Sequence, residues 1–243
     1  MYKKKITSAI LIIAILVISI MSVMPVFISP LASPSALSFS KSSMNASIKI
    51  VGVTEDGEGM VSTLTVDIKP GSGRILTDTN VLTGFYTQYS LKKAVQVTSN
   101  ITKFDFSSHD VIFSVHSENA EAIDGESAGA AITLALIAAI NGYDIPDDIT
   151  ITGTINDDGT IGQVGGLFEK ADAAAKSGIK LFLLPESQSN VVIYKPIYII
   201  DCFGRSITIV KPTDVNLVEY MDKNYDMSVI EVGTIEDAIH YIL

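Results

Sequence analysis

Ser127 and Lys170 are the two side chains whose type and setting could do chemistry together. Ser127 lies in Asp124-Gly125-Glu126-Ser127-Ala128-Gly129, a small polar turn that runs directly into AAITLALIAAI and ends at Asn141-Gly142. From Ala128 to Ile140 no side chain is charged, and Thr133 is the only polar one. A helix apolar all round is a buried helix. A serine at its entry has free backbone N–H groups and the positive end of the helix dipole beside it, which suits a nucleophile whose reaction develops an oxyanion. The plainer reading is that Ser127 caps the helix, as serine does well. Lys170 falls on the first turn of another expected helix, which begins after Gly165-Gly166 and stops at Gly178. There residues 167, 170, 171 and 174 share a face, and apart from the lysine that face is Leu-Ala-Ala. Desolvation would lower the lysine pKa from about 10.4 toward neutrality, at a cost of about 4 kcal/mol. A neutral amine could take the Ser127 proton as general base; alternatively the side chain snorkels to the surface.

Other chemistries find little support. No G-x-x-x-x-G-K-[ST] loop occurs, and the glycines at 159, 162, 165 and 166 do not match a dinucleotide fingerprint. His116 is expected mid-strand, away from a triad. Asp147-Asp148 and Asp157-Asp158 read as turn residues. Cys202 is the sole cysteine, and His109, His116 and His240 lack metal-ligand spacing. Neither a cofactor nor a metal is expected.

The elements that must position the pair follow from composition and pattern. The 243 residues are 47% hydrophobic and 18% charged, which suits one well-filled domain with appendages. The net charge of −10 becomes more acidic still without Lys3, Lys4 and Lys5, so nucleic acid and anionic lipid are poor partners for the surface. Those lysines precede an uncharged run from Ile6 to Met24, close to the length that spans a bilayer. Residues 1–24 are expected to be a signal anchor with the lysines in the cytoplasm, or a secretion signal if cleaved. Residues 25–45 read as a Ser/Pro-rich spacer, and 46–243 as one domain outside the cytoplasm. Within it SIKIVGV and MVSTLTVDIKP alternate as a hairpin, and RILTD, DVIFSVHS, ITITGTI and IKLFLLP read as strands. VVIYKPIYIID and SITIVKP look like further strands. Amphipathic helices are expected over 83–100, in DVNLVEYMDKNY and in the closing GTIEDAIHYIL.

Three stretches carry a resemblance when taken together. Asp124-Gly125-Glu126-Ser127-Ala128-Gly129, then Ile151-Thr152-Gly153, then Gly165-Gly166-Leu167-Phe168-Glu169-Lys170 resemble the proteolytic domain of the Lon protease family, in family order. The likeness is best over residues 110–186. It implies an α/β (α+β) fold like the second domain of ribosomal protein S5 and a serine endopeptidase acting on peptides or unfolded proteins. It also implies a homo-oligomer, since family members often form hexameric rings. By the same resemblance Ser127 is the nucleophile and Lys170 the general base. Thr152 hydrogen-bonds the lysine, Asp124 is an acidic residue at the mouth, and backbone N–H groups near Ser127 serve the oxyanion, with Gly125 allowing close approach. The sequence departs from the pattern in two places. No nucleotide loop is present, so an ATP-independent peptidase is expected. Glu126 stands where the family usually has proline: beside the pair it would favour protonated Lys170, and pointed to solvent it would repel acidic substrates. The first case favours a non-catalytic, ring-forming or peptide-binding scaffold as the alternative.

Overall fold

The alternating pattern after residue 45 becomes the centre of the molecule. A computed structural model describes residues 44–118, 120–200 and 205–242 except for the Ile207 side chain; the expected anchor, and nearly all of the spacer, lie outside the described residues. Strands β1 (Met44–Val53) and β2 (Gly59–Pro70) pair antiparallel, from Met44 opposite Ile68 to Val53 opposite Gly59. Met44 and Asn45, assigned above to the spacer, are therefore strand. On one side β5 (His109–His116) adds antiparallel to β2, and β3 (Ile75–Thr77) parallel to β5. On the other side β7 (Ile149–Ile151), β10 (Leu181–Pro185) and β13 (Ser228–Val232) continue from β1 in parallel. The seven-stranded order is β13-β10-β7-β1-β2-β5-β3.

Because side chains alternate along each strand, the sheet builds two cores. On one face Ile48, Ile50, Leu64 and Val66 pack against α1 (Phe85–Thr102) and α2 (Gly129–Asn141). On the other, Val51, Phe182 and Leu184 pack against α3 (Leu167–Lys176) and α4 (Leu217–Tyr225). Helix α5 (Ile235–Ile242) closes the first core through Ile235 and Ala238. The uncharged run is helical as its composition requires, buried at every residue from Gly129 to Ala139 and ended by left-handed Gly142.

Three elements differ from the reading above. ITITGTI is not one strand: β7 ends at Ile151 and β8 (Thr154–Ile155) starts a small hairpin with β9 (Ile161–Gly162). The chain leaves the sheet there because the Gly153 N–H donates to the Ser127 carbonyl at 2.9 Å. The edge strand β13 has no counterpart among the expected elements. The two strands expected after Pro185 do not extend the main sheet: among the described residues β11 (Asn190–Ile200) and β12 (Ser206–Asn216) pair only with each other. Among the described residues no helix is long and apolar enough to cross a membrane.

Leu134 of α2 is fully buried. Leu134→Ala is expected to cost about 2–5 kcal/mol of unfolding free energy, read by urea denaturation; a loss under ~1 kcal/mol would contradict this packing.

Candidate active site

The turn bearing Ser127 is fixed from outside its own helix. Strand β6 (Ala122–Ile123) pairs with β4 (Leu82–Thr83), which sets the turn against the start of α1. The N-cap position of α1 is Gly84, which has no side chain to satisfy the first amides. Asp124 does so instead, its carboxylate accepting from the Thr87 N–H at 3.1 Å. A Cβ on Gly84 would lie 2.3 Å from Asp124 Cγ, so only glycine permits this approach. Thr87 Oγ1 in turn accepts from the Gly125 N–H at 3.2 Å. Ser90 Oγ donates to the Glu126 carbonyl at 3.4 Å. Gly125 itself is required by its φ of 153°; a Cβ there would meet nothing within 4 Å. The close approach expected of Gly125 is thus a conformational need.

Ser127 is not a helix cap. The N-cap of α2 is Ala128, and no side chain caps it. Backbone carbonyls take that part, Gly129 N–H donating to the Glu126 carbonyl at 3.0 Å and Ala130 N–H to that of Gly153 at 3.0 Å.

Lys170 approaches from the other core. Helix α3 buries Leu167, Lys170, Ala171 and Ala174, the face given by the 167, 170, 171, 174 spacing. Lys170 does not snorkel: it is 4% exposed. Its Nζ lies 3.4 Å from Thr152 Oγ1, and Thr152 Oγ1 donates to the Ser127 carbonyl at 3.2 Å. The link between the two residues therefore runs through Thr152, which is fully buried where the chain departs from the end of β7. A hydroxyl has one proton. With that proton given to the Ser127 carbonyl, Thr152 presents a lone pair to the amine and holds it as a donor.

Ser127, Lys170 and Asp124 line one open cleft of about 800 Å³, together with Gly52 and Val53 at the end of β1 and with Gly165 and Gly166 before α3. Its place is beyond the carboxyl ends of parallel strands, where helices from opposite faces converge and open α/β sheets bind ligands. Burial pushes the Lys170 ammonium from its ordinary value of 10.5 down to about 8. Glu126 is half-buried, is not among the residues lining the cleft, and does not counter that shift. A serine hydroxyl and an amine poised near neutrality in one cleft can carry out acyl transfer by nucleophile and general base.

His116 ends β5 on the surface, and Asp147-Asp148 and Asp157-Asp158 fall in turns. Thr87 and Ser90 were not singled out in the sequence. Their signal was present in part: both are polar residues on the buried face of α1, alongside Leu91, Ala94 and Val97. Nothing local announced which carbonyl and amide they would meet.

A family model described as the Lon protease (S16) C-terminal proteolytic domain matches residues 50–209. A Lon protease of Neorickettsia sennetsu is 35% identical over 127 residues, which is 50% of this chain and 15% of that protein. A Lon protease of Vibrio parahaemolyticus is 36% identical over 142 residues, 56% of this chain and 18% of that protein. An archaeal Lon protease of Methanocaldococcus jannaschii is 37% identical over 82 residues, 34% of this chain and 13% of that protein. The chain thus spans less than a fifth of each of these relatives.

A lysine held at about 8 also weighs on stability. Between about 8 and 10.5 the unfolded chain binds the proton and the folded one does not, so stability rises with pH across that window. Below it the burial penalty stands in full, about 3 kcal/mol. Lys170→Met is therefore expected to raise the unfolding free energy at pH 7 by about 1–3 kcal/mol in urea titrations, with the gain shrinking toward about pH 10. No gain at neutral pH would contradict a buried charge.

Proposed function

The chain belongs to the family of Lon protease C-terminal proteolytic domains, and on that premise we propose that it is a serine endopeptidase using a Ser127–Lys170 dyad. The observation that carries this reading is the desolvated amine of Lys170 in the same cleft as Ser127. Neutral Lys170 removes the Ser127 proton as Oγ attacks the peptide carbonyl. The resulting ammonium gives that proton to the leaving amine, and water then hydrolyses the acyl-enzyme. Thr152 positions the amine. The amides of Gly125, Gly129 and Ala130 already have partners, so oxyanion stabilisation falls to the Glu126–Ala128 amides at the turn. Asp124 supports the site as the cap of α1.

Hydrolysis through this pair uses no nucleotide, and ATP independence belongs to the proposal. Its substrate is an unfolded protein or peptide, and a homo-oligomer, such as a hexameric ring, is its working form. The basic start followed by the uncharged run Ile6–Met24 supports attachment to a membrane, with the peptidase domain on the extracytoplasmic side.

An active-site serine phosphonate should label the wild-type chain and not Ser127→Ala. The labelling rate should climb with pH through about 8 as Lys170 loses its proton, and fall by about 10²- to 10⁴-fold in Lys170→Met. Equal labelling of wild type and Ser127→Ala would end the peptidase reading.

A further inference from the structure

Among its described residues, the β11–β12 ribbon is packed only at its base. There Ile193 is buried and Val191 joins the core beside Leu217. Beyond Ile193 every residue of β11 is exposed. The register sets Tyr194 opposite Pro212, Pro196 opposite Val210, and Tyr198 opposite Thr208. Alternation therefore gathers Val192, Tyr194, Tyr198, Ile200 and Val210 on one face. Between Tyr194 and Ile200 that face has no charged side chain, Asp214 standing at its foot opposite Val192, whereas on the opposite face Lys195 and Lys211 sit directly across from each other and separate Ile197, Ile199 and Ile209 from the base. Tyr194, Tyr198 and Ile200 are 70%, 73% and 74% exposed. A contiguous apolar patch held in water marks a contact surface.

What covers it follows from where it leads. Asn190, Val191 and Val192 line a cleft of about 310 Å³ at the foot of the ribbon, and Gly166 lines that cleft as well. Gly166 also lines the cleft of Ser127 and Lys170. The cleft at the foot of the ribbon and the cleft of the candidate nucleophile thus share Gly166 as a wall. Because among the described residues β11 and β12 pair only with each other, each also has an outer edge to which an extended backbone can bond.

We propose that the ribbon is a platform for unfolded polypeptide, holding apolar segments along Val192–Ile200 so that the chain passes over Gly166 into the Ser127 cleft. This deepens the peptidase reading and rests on it. Tyrosines suit the task, since they give large contact area at small cost in side-chain freedom and impose no sequence rule.

The test uses the full chain carrying Ser127→Ala, so that binding is read without turnover, and fluorescently labelled β-casein as the unfolded probe. Adding Tyr194→Ser, Tyr198→Ser and Ile200→Ser together should raise the Kd by about ten-fold or more. Val210→Ser alone, from the other strand of the same face, should move it in the same direction. Lys195→Ser on the opposite face should leave it unchanged. An unaltered Kd in the first two variants overturns the proposal. So does a smaller assembly by light scattering, which would assign the face to a second copy of the chain. Loss of binding to phospholipid vesicles with casein binding intact would assign it to a lipid surface and overturn it equally. Phosphonate labelling of the unmodified chain decides the peptidase reading separately, so the two can fail independently.

Discussion

The structure turns on one unfavourable act, the removal of the Lys170 amine from water. A lysine at 4% exposure on a Leu-Ala-Ala face has exchanged hydration for a long contact with Thr152 Oγ1. Removing a charge from water without a full partner is among the costlier things a core can contain. Here the cost falls on the protonated form and displaces the ammonium to about 8. Packing supplies the perturbation: α3 presses Leu167, Ala171 and Ala174 into the second core and takes Lys170 with them.

That burial is useful only because the sheet brings a serine from its opposite face. Ser127 stands before α2, which belongs to the first core; Lys170 belongs to the helix layer behind the second. The two meet where β7 ends and the chain turns aside at Thr152-Gly153. Gly153 bonds the Ser127 carbonyl through its amide, and Thr152 bonds the same oxygen through its hydroxyl. One carbonyl thus receives both anchors. From the far side Asp124, Thr87 and Ser90 tie the same turn to α1. The candidate nucleophile is held by two segments distant in sequence, as a site that depends on sub-ångström placement must be.

Much of this was legible in the sequence where one period dominates. The charge-free run at 128–140 could only be a buried helix, and the 167, 170, 171, 174 spacing set Lys170 on an apolar face. The β1–β2 hairpin follows from alternation alone. Long-range demands erased the signal elsewhere. ITITGTI reads as one strand, yet it breaks because its Gly153 amide bonds the Ser127 carbonyl instead of a neighbouring strand. The polar face of Thr87 and Ser90 carries no local hint of partners more than thirty residues away. Strand β13 is short and lies between two helices, too brief for its period to stand out. At Gly125 the backbone angle, and not the room beside it, demands glycine. Glu126 stands beside Ser127 in sequence, but the turn does not place it in the cleft.

The protonation state of Lys170 is the most direct test, because nucleophile activation, pH dependence and the stability penalty all depend on it. The chain can be labelled with ¹³C at lysine Cε and titrated by NMR, the Lys170 resonance being assigned by its loss in Lys170→Met. A midpoint near 8 is the predicted result. A midpoint above about 10, where an ordinary solvated lysine titrates, would contradict the buried general base.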